Sequence, residues 1–170
     1  TADEVVTDTF TVLSADGTAS QTVTISLTGT NDAASIGGTA SGDFTESDAA
    51  QTVTGSLSVS DVDSGEDVFQ TQTDEAGDYG SFSIDAAGAW TYEVAANNQL
   101  TADEVVTDTF TVFSADGTAS QTVTISLTGT NDAASISGTA SGDFTESDAA
   151  QTVTGSLSVS DVDSGEDVFQ

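Results

Sequence analysis

The chain has 170 residues and carries 29 Asp and Glu against no Lys, Arg or His, a formal net charge of -29. Nucleic acid and anionic lipid are excluded as partners, because an unbroken negative field attracts neither, whereas cations are natural ones. Hydrophobic residues make up 36%, enough for a modest core in one or two domains, and the absence of Cys rules out a disulfide framework.

Two carboxylates about 4 Å apart repel by roughly 1 kcal/mol in water and by about 4 kcal/mol at an effective dielectric near 20. Clustered acids therefore need a counter-charge that no basic side chain here supplies, and without Lys no lysine-based isopeptide link is available either. Metal is the stabiliser left to a small carboxylate-rich module without covalent staples. No apolar run approaches the roughly 18 residues of a spanning helix and the start is not signal-like, so the expectation is no membrane insertion and no address of its own. The missing initiator Met fits a segment of something longer.

Residues 1–70 recur as 101–170 with two differences, Leu13 to Phe113 and Gly37 to Ser137, giving a period of 100. That period is too long for a solenoid coil and suits domains strung in tandem. Gly29-Thr30-Asn31-Asp32 and its copy Gly129-Thr130-Asn131-Asp132 each follow an alternating apolar strand and lead into another, so both read as hinges. They divide the chain into 1–32, the C-terminal part of one repeat; 33–132, a complete repeat; and 133–170, the N-terminal part of the next. The two partial pieces lack the counterpart of 71–100 and together cannot rebuild a whole module. They are completed either within a continuous filament or by strand exchange with other copies.

Within 33–132, apolar and polar residues alternate at period two, Thr, Val and Ser abound, and turn signals arrive about every ten residues. Strands are predicted at 34–40, 52–60, 67–73, 81–85, 89–94, 108–114 and 120–128, and seven short strands indicate a β-sandwich. Inward positions include Val53, Leu57, Val59, Phe82, Ile84, Trp90, Tyr92, Val94, Phe110, Val112, Val123, Ile125 and Leu127. Trp90 belongs to this core and is not a ligand platform. The Asp-Gly turns at 85–88 and 114–117 suit turn chemistry on their own.

The acids sort by the end of the module on which they fall, since connections alternate between the ends of an up-and-down run. Loop 61–67, with Asp61, Asp63 and Glu66, and the turn carrying Asp116 fall at the upstream end. The connections carrying Glu46 and Asp103-Glu104 fall at the downstream end beside Asn131-Asp132, and a following repeat brings Asp161 and Asp163 to face them. Candidate metal ligands are thus Glu46, Asp103, Glu104, Asn131, Asp132, Asp161 and Asp163 at the downstream junction, and Asp3, Glu4, Asn31, Asp32, Asp61, Asp63 and Asp116 upstream. Calcium takes six to eight oxygens in irregular geometry and fits such a set. Magnesium demands a stricter octahedron, and zinc would want His or Cys. The loop is not an EF-hand, because glycine falls at its fifth position and Gln72 at its twelfth. The plainer reading of any one of these acids is a solvated loop end.

The run Gly80-Ser81-Phe82-Ser83-Ile84-Asp85, Gly88-Ala89-Trp90 and Tyr92, followed by Leu100-Thr101-Ala102-Asp103-Glu104, Phe110-Thr111-Val112, Ala115-Asp116-Gly117 and the closing Gly129-Thr130-Asn131-Asp132, resembles the VCBS repeat of large bacterial surface and RTX-type adhesins. More distantly the pattern is similar to cadherin repeats, in which an acidic first turn, an acid before the sixth strand, an Asn-Asp linker and an Asp-x-Asp loop bind calcium between domains. Glu46, Glu104, Asn131-Asp132 and Asp161-Asp163 match those places, while Asp103 and Glu104 are adjacent instead of separated and the linker lacks proline. The resemblance implies an all-β chain of tandem seven-stranded immunoglobulin-like or cadherin-like Greek-key sandwiches joined end to end. It also implies an extracellular or bacterial cell-surface rod with calcium ions and neighbouring repeats as partners, serving adhesion and biofilm.

Near-identical copies independently favour one repeated mechanical job, that of a spacer. A ligand-binding module, for carbohydrate for instance, would present an exposed aromatic cluster, and the aromatics here fall on the inward alternation. An enzyme has little support, since the Asp pairs have no basic or nucleophilic companion.

Overall fold

The computed structural model describes residues 2–47, 49–96 and 100–170. Its strands are β1 (Val5–Leu13), β2 (Ser20–Thr28), β3 (Ser35–Gly38), β4 (Ser41–Thr45), β5 (Gln51–Ser60), β6 (Gln72–Ala76), β7 (Gly80–Ile84), β8 (Ala89–Val94), β9 (Val105–Phe113), β10 (Ser120–Thr128), β11 (Ser135–Gly138) and β12 (Leu157–Ser160). No helix occurs among the described residues. The all-β expectation from alternating Thr, Val and Ser is met.

Strands β3 to β10 build a two-layer sandwich. One sheet has the order β3-β5-β8-β7-β6 and the other β4-β10-β9. The meander β6-β7-β8 returns to lie beside β5, which is the Greek-key order. Between the sheets lie Leu57, Phe82, Ile84, Trp90, Tyr92 and Val94 from one layer and Phe110, Val112, Val123, Ile125 and Leu127 from the other. Phe82 stacks on Phe110 across the layers with ring centroids 4.7 Å apart. Trp90 is fully buried and its indole N–H donates to the Thr39 carbonyl at 2.9 Å, so its one polar atom is satisfied without exposing the ring. A Cβ on Gly55 would stand 2.3 Å from Trp90 Cζ2, so this strand position must stay without a side chain to seat the indole.

Three features depart from the predicted elements. The strand expected at 34–40 is divided: β3 pairs with β5, Gly38 turns at φ +105, and β4 crosses to pair in parallel with β10. The strand expected at 67–73 is displaced to β6, because Phe69 drops into the core, bridges Ser114 and carries the chain from one sheet to the other. Asp108 lies outside the predicted inward set although it shares the face of Phe110 and Val112; it is buried, and its carboxylate accepts from the Tyr92 hydroxyl at 2.6 Å and from the Asp78 and Tyr79 amides at 3.0 Å each. Phe69 and Leu100 join the core beyond the predicted inward set.

Flanking this unit, β1 and β2 form a hairpin whose register repeats that of β9 and β10 residue for residue. Downstream, β11 and β12 pair as β3 and β5 do at the same positions.

Candidate metal centre at the hinge

At the upstream end, the hinge 29–32 meets two connections of the sandwich, loop 61–67 after β5 and turn 114–119 after β9. The Asp63 carboxylate accepts the Asp32 amide at 2.8 Å, and the Asp63 amide in turn donates to Asp61 Oδ1 at 2.8 Å. Asn31 Nδ2 donates to the Asp32 carbonyl at 2.7 Å and to Asp116 Oδ2 at 3.2 Å. The Ala34 amide donates to Thr118 Oγ1 at 2.9 Å. The hinge backbone is therefore held by side chains of both connections before any ion is considered.

Asp61, Asp63 and Glu66 each bring a carboxylate oxygen within 4.8 Å of the other two, and they are the one such trio among the described residues. Asp63 is buried, and Asp61 and Glu66 are half-buried. Asp61 Oδ2 and Glu66 Oε2 are shielded from solvent and accept no hydrogen bond. Desolvation, and then the charges of Asp63, Asp116 and Asp61, raise the Glu66 carboxyl above its ordinary range. The Asp32 amide holds Asp63 below its ordinary range against desolvation. These three acidic side chains could hold a hard cation, whose charge would offset their mutual repulsion in a chain without a basic residue.

Asp116 plays a different part. Ser114 Oγ donates to its Oδ1 at 2.6 Å and the Thr118 amide at 3.1 Å, and these bonds drive its carboxyl well below the carboxylate range. Its copy Asp16 makes the same bonds in the β1-β2 turn and is lowered to about 2 with no Asn beside it. Turn chemistry thus accounts for most of the effect. Among the described residues, Asp116 bonds to the hinge through Asn31.

The remaining predicted ligands fall into separate groups. Asp3 and Glu4 end the first hairpin: the Asp3 amide donates to the Gly29 carbonyl at 3.1 Å and the Gly29 amide to the Glu4 carbonyl at 2.7 Å. Asp103 and Glu104 repeat this with Gly129, and Glu104 Oε2 turns back onto the Thr101 amide and hydroxyl, both at 3.1 Å. Glu46 is buried beside the downstream hinge and accepts the Thr130 amide at 3.4 Å. Asp163 accepts the Asp132 amide at 2.8 Å and donates its own amide to Asp161 Oδ1 at 3.0 Å, repeating the upstream tie, while Asn131 Nδ2 bonds the Asp132 carbonyl. Glu66 belongs to the acidic loop that the sequence marks, yet it is absent from the predicted ligands. A signal for it exists, since it stands three residues beyond Asp63 on a turn closed by its own amide bonding to the Asp63 carbonyl.

A search of curated proteins finds no matching relative. The family profile described as bacterial cadherin-like domain matches residues 31–129, well over half of the chain and nearly coextensive with the unit from hinge to hinge.

Proposed function

The chain belongs to the bacterial cadherin-like domain family, and from that premise we propose that it is a spacer segment of a long bacterial surface adhesin, made rigid by calcium at the joints between repeats. Cadherin-like domains are adhesion-type extracellular modules and typically non-enzymatic, and they typically bind calcium. The finer assignment to a VCBS repeat of an RTX-type adhesin, serving biofilm, rests on the motifs quoted above. The domain boundaries 1–32, 33–132 and 133–170 belong to the same proposal.

The observation that carries the reading is the pair of shielded oxygens, Asp61 Oδ2 and Glu66 Oε2, beside the hinge-bound Asp63. Bound calcium supplies positive charge and accepts six to eight oxygens at about 2.3 to 2.6 Å. Asp61, Asp63 and Glu66 would hold it, with Asn31, Asp32, Asp116, Asp3 and Glu4 as the further oxygen donors proposed at this joint. At the downstream joint, where Asp163 and Asp161 repeat the tie to Asp132, the proposed ligands are Asp132, Asp161 and Asp163 with Glu46, Asp103, Glu104 and Asn131. Asp63 couples the site to the hinge, because the same carboxylate faces the cluster and holds the Asp32 amide. Extracellular modules of this kind bind calcium with dissociation constants of about 0.1 to 1 mM, so ambient calcium would set both stiffness and stability by mass action.

Nothing favours the ligand-binding alternative through an aromatic cluster: among the described residues of the sandwich, Trp90, Tyr92, Phe82, Phe110 and Phe69 are buried, and Phe113 is the one exposed aromatic. Small-angle scattering of the chain in calcium and then in chelator tests the spacer reading. A longer maximum dimension in calcium is expected, and an unchanged one in a chain that calorimetry shows to be calcium-loaded overturns it.

A further inference from the structure

The two sheets of the central sandwich are closed along one margin and open along the other. At the closed margin β3 and β4 belong to different sheets and are joined through Thr39 and Ala40, so the backbone itself seals the gap. At the open margin lie β9 and β6, each outermost in its sheet. The chain begins to pair there and then departs. The Gln70 amide donates to the Phe113 carbonyl at 3.0 Å and the Ala115 amide to the Val68 carbonyl at 2.9 Å, after which the polypeptide turns away to join β7. Among the described residues, no strand lies beside the rest of this margin of β9.

In an antiparallel ladder the N–H and C=O of one residue point to the same side, and the side alternates along the strand. The Glu104 carbonyl accepts the Gly129 amide and the Ser114 amide donates to the Ala119 carbonyl, both toward β10. Thr107, Thr109 and Thr111 therefore direct their backbone groups away from β10. The Thr111 carbonyl accepts Gln72 Nε2 at 2.8 Å, a side-chain amide standing where the amide of a strand would be. The amides of Thr107, Thr109 and Thr111 and the carbonyls of Thr107 and Thr109 border a cavity of about 520 Å³, within the range of roughly 300 to 1,000 Å³ usual for ligand sites. Its far wall is the end of β6 and the turn after it, which bring Glu75 and Asp78. That wall is fixed in place: the Asp78 and Tyr79 amides donate to Asp108, and Gly77 packs so closely that a Cβ would collide with Asp108 Oδ2.

We propose that this cavity takes an extended segment of a partner protein, which pairs antiparallel to Thr107–Thr111 in the line that Val68–Gln70 leaves and carries Lys or Arg at alternate positions. Strand addition to a bare sheet edge draws its affinity from main-chain hydrogen bonds and its specificity from alternate side chains. Side chains beside Thr107 and Thr109 face solvent, and those between them enter the cavity. A basic side chain entering there lays its stem along Phe110 and brings its head to Glu75 and Asp78. No residue of the chain can neutralise those two carboxylates, since it has no Lys, Arg or His. A small metal ion does not fit the same place, because among the described residues Asp61, Asp63 and Glu66 are the one trio of acids close enough to share an ion. A second copy is disfavoured by its own net charge of -29.

The test adds a synthetic peptide of about seven residues, alternating Thr and Lys, to the 170-residue chain. Excess calcium competes for the peptide at other acids, and about 0.15 M salt, with a Debye length of about 8 Å, screens distant charge. Amide hydrogen exchange read by NMR is expected to slow at Thr107, Thr109 and Thr111. A peptide of the same charge, methylated on the backbone nitrogens that face β9, is expected to lose that protection. Glu75→Gln combined with Asp78→Asn should weaken binding roughly 3- to 30-fold, with unchanged Trp90 emission showing that the sandwich remains folded. Protection that survives methylation or falls elsewhere, or a double variant that binds as tightly as wild type, overturns the proposal. So does a chain that, without peptide, gains mass with concentration in sedimentation and protects the same amides, because the occupant is then a second copy.

Discussion

The duplicated sequence allows one substitution to be made twice in the same local context with opposite outcomes. Residues 14–32 and 114–132 are identical, yet Ile125 is fully buried between the sheets while Ile25 is 55% exposed. Truncating a buried Ile to Ala costs about 2 to 5 kcal/mol through lost transfer energy and the cavity left behind. With a urea slope of about 1.5 kcal/mol per molar, Ile125→Ala should lower the unfolding midpoint by roughly 1.3 to 3 M. Ile25→Ala should leave that midpoint unchanged, since no core surrounds it. Trp90 is the single tryptophan and lies in the central core, so its fluorescence reports that unit alone. Equal shifts for the two variants would refute the reasoning, because they would put the first hairpin inside the cooperative unit of Trp90.

Glu66→Gln should change sign with calcium: in chelator it relieves repulsion and stabilises the chain, and in saturating calcium it removes a ligand and destabilises it, as two melting series would show. In chelator the raised Glu66 carboxyl means that the folded state binds this proton more tightly than the unfolded one. Its share of stability is therefore present below its ordinary value of 4.5 and lost as pH rises through the raised one. Tyr92 is likewise raised, by burial first and by Asp108 second, so stability should fall as pH climbs above its ordinary 10.0, and Tyr92→Phe should flatten that limb in pH-dependent urea titrations. Asp108→Ala strands three donors, one hydroxyl and two amides, and should cost about 3 kcal/mol or more by denaturation. Gly55→Ala forces a methyl against the indole and should cost about 1 to 3 kcal/mol with a shift in Trp90 emission.

Period-two alternation makes the inward face legible because each strand has one wet and one dry side, and β8, β9 and β10 follow it. It does not mark Phe69 or Leu100, which enter the core from connections where no alternation operates. Nor does it reveal that β4 leaves β3 for the opposite sheet, since that depends on a turn at Gly38 and on a partner strand some eighty residues later. Asp108 shares the inward parity of Phe110 and Val112, so alternation marks its face; what the pattern does not carry is that Tyr92 and the turn 77–79 converge on its carboxylate and satisfy it. The hinge acids are legible as a group because their loops share an end of the sandwich. Glu66 does not stand out among them because exposed acids abound in this chain, and only the fold distinguishes the one that loses its water.

The parallel pairing of β4 with β10 also bears on mechanics. These strands stand near the two points at which the polypeptide enters and leaves the sandwich, and they run the same way. A pull on both ends slides one along the other, loading five residue pairs, Ser41 with Thr124 through Thr45 with Thr128, in shear at once rather than unzipping them singly. Resistance to tension then comes from the time this patch takes to rupture, a rate set by an unfolding barrier and separate from equilibrium stability.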